Sequence, residues 1–263
     1  MDSPYRPVTP PAVAAPRLSA LVVAHDEEDQ LAACLERLAF ADELVVVLDR
    51  CTDGSEAVAR RFTDRIVAGA WPVEGDRRNT GIDACTGDWI LEVDADERVT
   101  PELAAEIRTA IAGAPYGYFV VPYDNYVGDR LVRYGWGAQI GVSAAIRLFA
   151  RGAKRWGPQR VHPKLALDGA KMTLNARMIH HVDTGISDML HRLDRYTTLA
   201  ARDMRASGEV GTLGRNLRRI FSRFWKCYVA RKGYREGRYG ILIALMAALY
   251  PILSYLKATL EDE

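Results

Sequence analysis

The chain has 263 residues with a formal net charge of +1, and 49% of its residues are hydrophobic. This length accommodates one large α/β domain with a helical appendage, and the apolar content excludes a disordered chain. The near-zero charge gives no global electrostatic reason to expect a nucleic-acid partner. The four cysteines form no CxxC pair, which excludes zinc-ribbon and thioredoxin-type sites, so we interpret them as free thiols.

The amino-terminal segment, residues 1–17, contains five prolines and no apolar run of the kind that a signal peptide contains. We therefore expect a Pro-rich flexible arm and a cytoplasmic protein.

Short apolar runs alternate with segments of helical periodicity from residue 18 to about residue 112. The runs that predict strands are 18–24, 43–48, 65–67 and 89–93. The segments that predict helices are 28–38, 55–62, 76–85 and one that begins at Pro101. This alternation predicts a Rossmann-like α/β fold, with a mostly parallel sheet and helices on both faces. Between residues 113 and 185, shorter strand-like pieces predict an antiparallel extension.

Charged side chains follow the predicted strands. Glu27 and Asp49 come after the first and second strands, and Asp94 and Asp96 come directly after the fourth. Ligands bind at the carboxyl ends of parallel strands, so we expect these carboxylates to converge at one sheet edge. Two carboxylates so spaced can share a Mg²⁺ ion, and the alternative is an acidic turn that caps the next helix. Arg78 near a helix start is suited to an anion, with a solvated basic turn as its alternative.

The motifs carry a family resemblance over roughly residues 18–112. LVVAHDEEDQLAACLERL, VVVLDRCTDGS and RRNTGIDACTGDWILEVDADE follow one another in an order and spacing that resembles the family 2 glycosyltransferases of GT-A fold. Asp26 stands where that family usually has Asn. Within the family, the chain is most similar to the lipopolysaccharide core β-glucosyltransferase branch, whose downstream motifs read here Gly135-Trp136, Arg147-Leu148-Phe149 and Val161-His162.

The resemblance implies roles for individual residues. A divalent cation, Mg²⁺ or Mn²⁺, would be held by Asp94, Asp96 and His181. A nucleotide sugar, with a UDP-sugar favoured, would contact Glu27, Asp49, Arg78 and Asp94. The acceptor would contact Trp136 and Arg147. The alternative for His181 is to brace the edge of the sheet.

The chain departs from the branch at the expected general base. The branch has a Glu directly after the Val-His pair, and this chain has Pro163 there. An inverting transfer needs a base within hydrogen-bond reach of the acceptor hydroxyl. The candidates are His162, Asp168 and Asp129, and His162 is our first choice because a neutral imidazole can accept the proton.

The carboxyl-terminal third is basic and helical by its periodicity, with helices predicted at about 187–207, 212–232 and 239–258. Between Arg215 and Arg238 there are nine Lys or Arg residues against one Glu, with aromatic residues interleaved. This pattern predicts contact with an anionic membrane surface through 212–258. Residues 239–256 carry no charge and are near the lower length limit for a membrane span. We favour a helix in the membrane surface, or a hairpin with 212–232, over a single span or a homo-oligomer interface.

The sequence thus predicts an arm (1–17), a GT-A catalytic domain (18–185, with a nucleotide-sugar half 18–112 and an acceptor half 113–185) and a helical region (186–263). The predicted activity is an inverting, metal-dependent transfer of a hexose to a hydroxyl of a lipid-linked or lipopolysaccharide-type acceptor. It would take place at the inner face of the cell membrane, with the protein peripherally bound. The alternatives are sugar transfer to polyprenyl phosphate and an inactive membrane-bound scaffold.

Overall fold

The computed structural model of the protein describes residues 14–137, 141–158 and 164–261. Its strands are β1 (Leu18–Ala24), β2 (Glu43–Asp49), β3 (Ile66–Gly69), β4 (Trp89–Asp94), β5 (Glu97–Arg98), β6 (Gly117–Val127), β7 (Arg130–Val132), β8 (Ala144–Ala150), β9 (Lys154–Trp156), β10 (Leu165–Leu167), β11 (Ala170–Thr173) and β12 (Met178–Asp183). Its α-helices are α1 (Glu28–Leu35), α2 (Ser55–Ala59), α3 (Glu74–Ala84), α4 (Pro101–Gly113), α5 (Ile186–Ser207), α6 (Leu213–Trp225) and α7 (Arg238–Leu260).

Ten of these strands form one sheet in the order β3-β2-β1-β4-β8-β6-β12-β5, with β7 and β11 also paired to β6. The first four strands of that order are parallel neighbours, as the alternating pattern predicts. The predicted antiparallel extension is only partly correct. β8 runs antiparallel to β4 and β6, but β11 and β12 run parallel to β6.

Burial explains why the central strands read as apolar runs. Every residue of β1 is buried, and β2 and β4 are buried along nearly their whole length, because helices cover both faces of a parallel sheet. In β6, buried and partly exposed residues alternate along the strand, which is the pattern of a strand with only one face on the core. The α/β class with a separate carboxyl-terminal helical region is confirmed.

A second hydrophobic cluster joins the carboxyl-terminal helices to the ends of β6 and β7. Val127, Val132 and Trp136 pack there with residues of α5 and α7. By length and composition α7 is a candidate membrane span, and 56% of its apolar window is buried inside the protein. That burial is equally characteristic of a core helix, because neighbouring helices rather than lipid cover its apolar surface.

Candidate active site

The acidic triplet Asp94-Ala95-Asp96 begins at the end of β4, and two buried arginines bond its first residue. Arg78 of α3 lies 2.9 Å from one oxygen of Asp94, and Arg147 of β8 bonds the other oxygen. Burial by itself would raise the pKa of Asp94, but the guanidinium groups of Arg147 and Arg78 hold that pKa far below its usual range. Arg147 also bonds Glu97, whose pKa is raised because burial outweighs this attraction. Asp94 is therefore an anion that forms ion pairs with two guanidinium groups, one at each of its oxygens.

A second cluster of buried charges surrounds Glu92, two residues before Asp94 on β4. Glu92, in the middle of β4, accepts from Lys154 Nζ at 2.7 Å, from Arg78 Nη1 at 2.6 Å and from Trp156 Nε1 at 3.2 Å. Burial opposes its charge, yet Lys154 and Arg78 lower the pKa of Glu92 to about 2. Burial also lowers the pKa of Lys154 to about 8 despite the attraction of Glu92. Neither Glu92 nor Lys154 is among the predicted site residues, although an acidic residue inside an apolar strand signals a buried cationic partner.

Asp96 and His180 form the part of the site that fits a divalent cation. Asp96 Oδ2 lies 3.5 Å from His180 Nε2, and His180 Nδ1 is fixed by Asn125 Oδ1 at 2.9 Å. The other oxygen of Asp96 is buried and has no hydrogen-bond partner among the described residues. Ligand atoms of Asp96, Glu97 and His180 lie within 4.8 Å of one another. A carboxylate and an imidazole beside an unsatisfied oxygen are a suitable donor set for Mn²⁺ or Mg²⁺, whereas Glu97 is already bonded.

The sequence predicts His181 as the metal histidine, but the structure places the ring of its neighbour His180 closer to the acidic site. Adjacent residues of a strand point to opposite faces, and of the two histidines of β12 it is His180 whose Nε2 lies 3.5 Å from Asp96 Oδ2. His181 is exposed, and its ring lies 5.7 Å from that of Tyr126. Its backbone N–H donates to Asp96 O at 2.9 Å, so His181 braces the edge of the sheet. For His180, burial acts to lower the pKa, but the Asp96 carboxylate outweighs burial and raises it.

The nucleotide-side residues lie at the same sheet edge. Asp49, at the end of β2, is 1% exposed and accepts from Trp71 N at 3.0 Å and from Arg77 Nη1 at 3.2 Å. Burial would raise the pKa of Asp49, but bonds from Arg50 and from Trp71 N lower it. Burial and the nearby Asp96 and Asp94 carboxylates raise the pKa of Glu27, which lies just after β1. The structure therefore brings Glu27, Asp49 and the acidic triplet together, with Arg77 rather than Arg78 beside Asp49.

A cavity of about 520 Å³ opens beside this edge. Its lining includes Arg78, Asp94, Asp96, Tyr123, Arg147, Lys154, Trp156, His180, Arg192, Arg195 and Tyr196. The last three belong to α5, so the carboxyl-terminal helical region supplies part of the cavity wall.

Of the two acceptor-side predictions, the burial of Trp136 contradicts the first, whereas Arg147 lines the cavity and its acceptor contact stays a prediction. Trp136 is 3% exposed, and its Nε1 donates to Val132 O at 2.6 Å within the second hydrophobic cluster. It is a packing residue, because its ring is covered by apolar neighbours and its polar atom is satisfied. Arg147 is committed to Asp94, Glu97 and Tyr123 at the acidic triplet, so its charge is already neutralised there.

Of the three candidate bases, the structure describes Asp168 and Asp129, and these two lie in different parts of the fold. Asp168 bonds Ala153 O through its backbone N–H, near the start of β6 and the end of β8, at the amino edge of the parallel strands. This is the edge opposite Asp94, so Asp168 is corrected and dropped as a base. Asp129 lies in the exposed turn between β6 and β7, close enough to affect His181 but not in the cavity lining. His162 and Pro163 lie outside the described residues.

The parallel sheet with an acidic site at the carboxyl ends of its strands defines an α/β enzyme. The model of the family described as Glycosyl transferase family 2 matches residues 19–162, which is more than half of the chain. The chain belongs to this family and is a glycosyltransferase.

Relatives of this chain carry the same class of activity in their names. It is 26% identical to the lipopolysaccharide core biosynthesis glycosyltransferase LpsC of Rhizobium meliloti, with 91% of each chain covered. It is 21% identical to an uncharacterized glycosyltransferase of Rickettsia typhi, with 92% of this chain and 86% of the relative covered. Among solved structures it is similar to glucosyl-3-phosphoglycerate synthase from Mycobacterium tuberculosis in complex with Mg²⁺ and UDP, at 19% identity and a TM-score of 0.36. That match covers 43% of this chain and 44% of the synthase.

Proposed function

We propose that this glycosyltransferase moves a hexose from a nucleotide sugar, with a UDP-sugar favoured, to a hydroxyl of a lipid-linked or lipopolysaccharide-type acceptor. The observation that carries the proposal is that Asp94 and Asp96 line one cavity while their charges act on Glu27, which follows β1, and Asp49 ends the neighbouring parallel strand β2. The relative LpsC is named for lipopolysaccharide core biosynthesis, which supports the choice of acceptor.

Asp96 and His180 would hold a divalent cation, Mg²⁺ or Mn²⁺, and the metal contacts of Asp94 and His181 stay predictions. When bound, such a cation offsets the negative charge of a diphosphate leaving group. The chain's own residues prepare the site. Arg78 and Arg147 fix Asp94, and Asn125 fixes the ring of His180, so the groups that surround Asp96 are already ordered. Asp49 and Glu27 would orient the nucleoside, and the acceptor proton would pass to a base for which His162 is our candidate.

The test of this mechanism is the Asp96→Ala variant. UDP-glucose turnover with Mn²⁺ should fall roughly 100-fold or more, because an electrostatic contribution to leaving-group departure is lost. Asp64→Asn is the matched control, since Asp64 is an exposed carboxylate before β3 at the amino edge of the sheet. Equal turnover in the two variants would contradict the mechanism, and absence of turnover in the parent would favour an inactive scaffold. A thermal-shift panel of UDP, GDP, CMP and dTDP with Mn²⁺ would identify the donor class.

We propose in addition that α6 binds an anionic membrane surface. Leu213, Leu217, Phe221 and Trp225 recur every fourth residue and are exposed, with Phe221 at 77% and Trp225 at 64%. Residues so spaced form one stripe along a helix. Arginines and Lys226 occupy other positions of the same turns, which suits a helix lying among anionic headgroups.

Vesicle co-sedimentation tests the membrane proposal. The parent should bind vesicles that contain phosphatidylglycerol more strongly than neutral ones, and Phe221→Glu should reduce this binding at least about tenfold because it places a charge in the apolar stripe. Tyr116→Glu is the control, since Tyr116 is an exposed aromatic residue before β6. If Phe221→Glu instead dissociates a dimer in analytical ultracentrifugation and leaves vesicle binding unchanged, the stripe is a homo-oligomer interface.

A further inference from the structure

The cationic side chains that line the cavity are committed to carboxylates, with one exception. Arg78 and Arg147 bond Asp94, and Lys154 bonds Glu92. Arg192 of α5 forms a two-point contact with the Asp183 carboxylate, at 3.0 Å from Nε and 2.7 Å from Nη2. The ion pairs of these lining cations join Arg78 to Glu74, Glu92 and Asp94; Arg147 to Asp94 and Glu97; Lys154 to Glu92; and Arg192 to Asp183.

Arg195 is the exception. It is one turn beyond Arg192 on α5, it lines the same cavity, and its side chain is exposed. Within residues 14–137, 141–158 and 164–261, no carboxylate oxygen lies within 4.0 Å of its guanidinium group. The neighbouring Asp194 is instead paired with Lys257 at 2.6 Å. The Arg195 guanidinium lies over the ring of Tyr196, at 5.3 Å from the ring centre.

An uncommitted guanidinium at a cavity wall has a chemical consequence. Its donors form a planar fork that matches phosphate oxygens. The paired cations of the cavity would have to give up a carboxylate to take an incoming anion, whereas Arg195 would not. Among the described residues that line the cavity, Arg195 is therefore the cation that can attract an incoming anion without losing a carboxylate partner.

We propose that Arg195 forms an anion subsite that binds a phosphate group of a ligand in this cavity. The phosphate can come from the diphosphate of the nucleotide sugar or from a phosphate group on the acceptor. The inference rests on the proposed function for these two sources, but the subsite itself rests on the charges and contacts of α5. It also assigns the carboxyl-terminal helical region a direct part in ligand binding.

The experiment compares four forms of the full-length chain: the parent, Arg195→Gln, Arg195→Lys and Arg202→Gln. Arg202 is the matched control because it is an exposed arginine two turns further along α5 and does not line the cavity. Each form is titrated calorimetrically with UDP, uridine, glucose 6-phosphate and glucose, with Mn²⁺ present throughout. Thermal unfolding of each form checks that the exposed substitutions leave the fold intact.

We expect Arg195→Gln to weaken binding of a phosphate-bearing ligand roughly 10- to 100-fold and to leave uridine and glucose unaffected. Arg195→Lys should recover part of the loss, since it keeps the charge but not the planar fork. Loss confined to UDP would assign the subsite to the donor diphosphate, and loss confined to glucose 6-phosphate would assign it to an acceptor phosphate.

Two results would overturn the subsite: equal binding of every phosphate ligand by Arg195→Gln and Arg202→Gln, or no binding of any of them by the parent. Failure of the proposed function looks different. A parent that binds glucose 6-phosphate through Arg195 but neither binds UDP nor turns over a nucleotide sugar would refute the function and leave the anion subsite standing.

Discussion

Glu92 is an acidic residue with no exposed surface in the middle of a strand, so its contribution to stability depends entirely on its partners. A buried carboxylate is costly unless cations and hydrogen bonds compensate it. Lys154 and Arg78 do so here, and each is itself buried. The three side chains therefore act as a unit that also orients Arg78 towards Asp94. Removing one of the three side chains leaves a buried charge without its counter-charge.

We predict that Glu92→Gln lowers the free energy of unfolding by about 3–5 kcal/mol, because the Lys154 ammonium loses its only buried counter-charge among the described residues. The measurement is the midpoint of urea unfolding at neutral pH. Glu56→Gln is the control, since it removes a carboxylate from the exposed Glu56–Arg60 pair and should cost less than about 1 kcal/mol. Equal effects of the two substitutions would contradict the idea that burial makes the loss of a Glu92 ion pair costly to stability.

The residues of the site differ in how well sequence predicts them. Glu27, Asp49 and Asp96 were predictable because each follows a parallel strand, and parallel strands end at one edge. The choice between His180 and His181 was not, since it depends on the register of β12 against β5, which brings Ile179 opposite Arg98 and His180 opposite Glu97. A shift of one residue would exchange the two histidines between the faces of the sheet.

At the scale of elements, Glu43 joins the amino edge of the sheet. Its carboxylate, at the start of β2, accepts from Ser19 of β1 and from Thr86 N at 2.7 Å, and it pairs with Arg65. Burial would raise the pKa of Glu43, but these hydrogen bonds and Arg65 lower it below its ordinary value of 4.5. The folded state therefore favours the charged form. Its stabilising effect is fully present above that ordinary value and is lost as pH falls through the lowered pKa.

Glu43→Gln should consequently cost about 1–3 kcal/mol of unfolding free energy at about pH 7 and less at about pH 3.5, which is below the ordinary pKa of 4.5. Urea unfolding of parent and variant at both pH values measures the difference. For Glu36→Gln, at an exposed carboxylate beyond α1, the difference in unfolding free energy from the parent should be the same at both pH values. A penalty for Glu43→Gln that stays constant across this range would mean that packing, not charge, is lost.

Helix α3, which carries Arg77 and Arg78, approaches the sheet closely because residue 81 has no side chain. A Cβ atom on Gly81 would lie 2.5 Å from Leu21 Cδ1 and 2.9 Å from Val47 Cγ2. We predict that Gly81→Ala destabilises the protein by about 1–3 kcal/mol through overpacking and lowers UDP-sugar turnover by displacing the two arginines. Gly113→Ala, at the end of α4, meets no described heavy atom within 4 Å and should be neutral or stabilise by up to about 1 kcal/mol. If both substitutions destabilise the protein to a similar extent, overpacking at residue 81 is contradicted.

At the scale of the whole molecule, β6 connects two hydrophobic clusters. Phe119 and Val121 of its first half pack in the cluster around the parallel sheet, whereas Val127 at its end packs with the carboxyl-terminal helices. The existence of these helices was predictable from periodicity. α5 and α7 lie at nearly the predicted positions, whereas α6 ends at Trp225 and not at residue 232. Their contacts were not, since an apolar helix such as α7 has the same composition in a core, an interface or a membrane.

Trp136 tests whether this junction is structural. It is buried among residues of α5 and α7, so Trp136→Ala should lower the unfolding free energy by about 3–5 kcal/mol through a cavity. Trp136→Phe should cost less, about 1–3 kcal/mol, because it keeps an aromatic ring but leaves Val132 O without its Nε1 donor. Urea unfolding gives both values, and acceptor KM is measured on the same samples. A packing role predicts a stability loss that follows the volume removed. A large rise in acceptor KM with unchanged stability would instead support an acceptor contact of Trp136. It would also mean that Trp136 does not stabilise the packing of the helical region on the catalytic sheet.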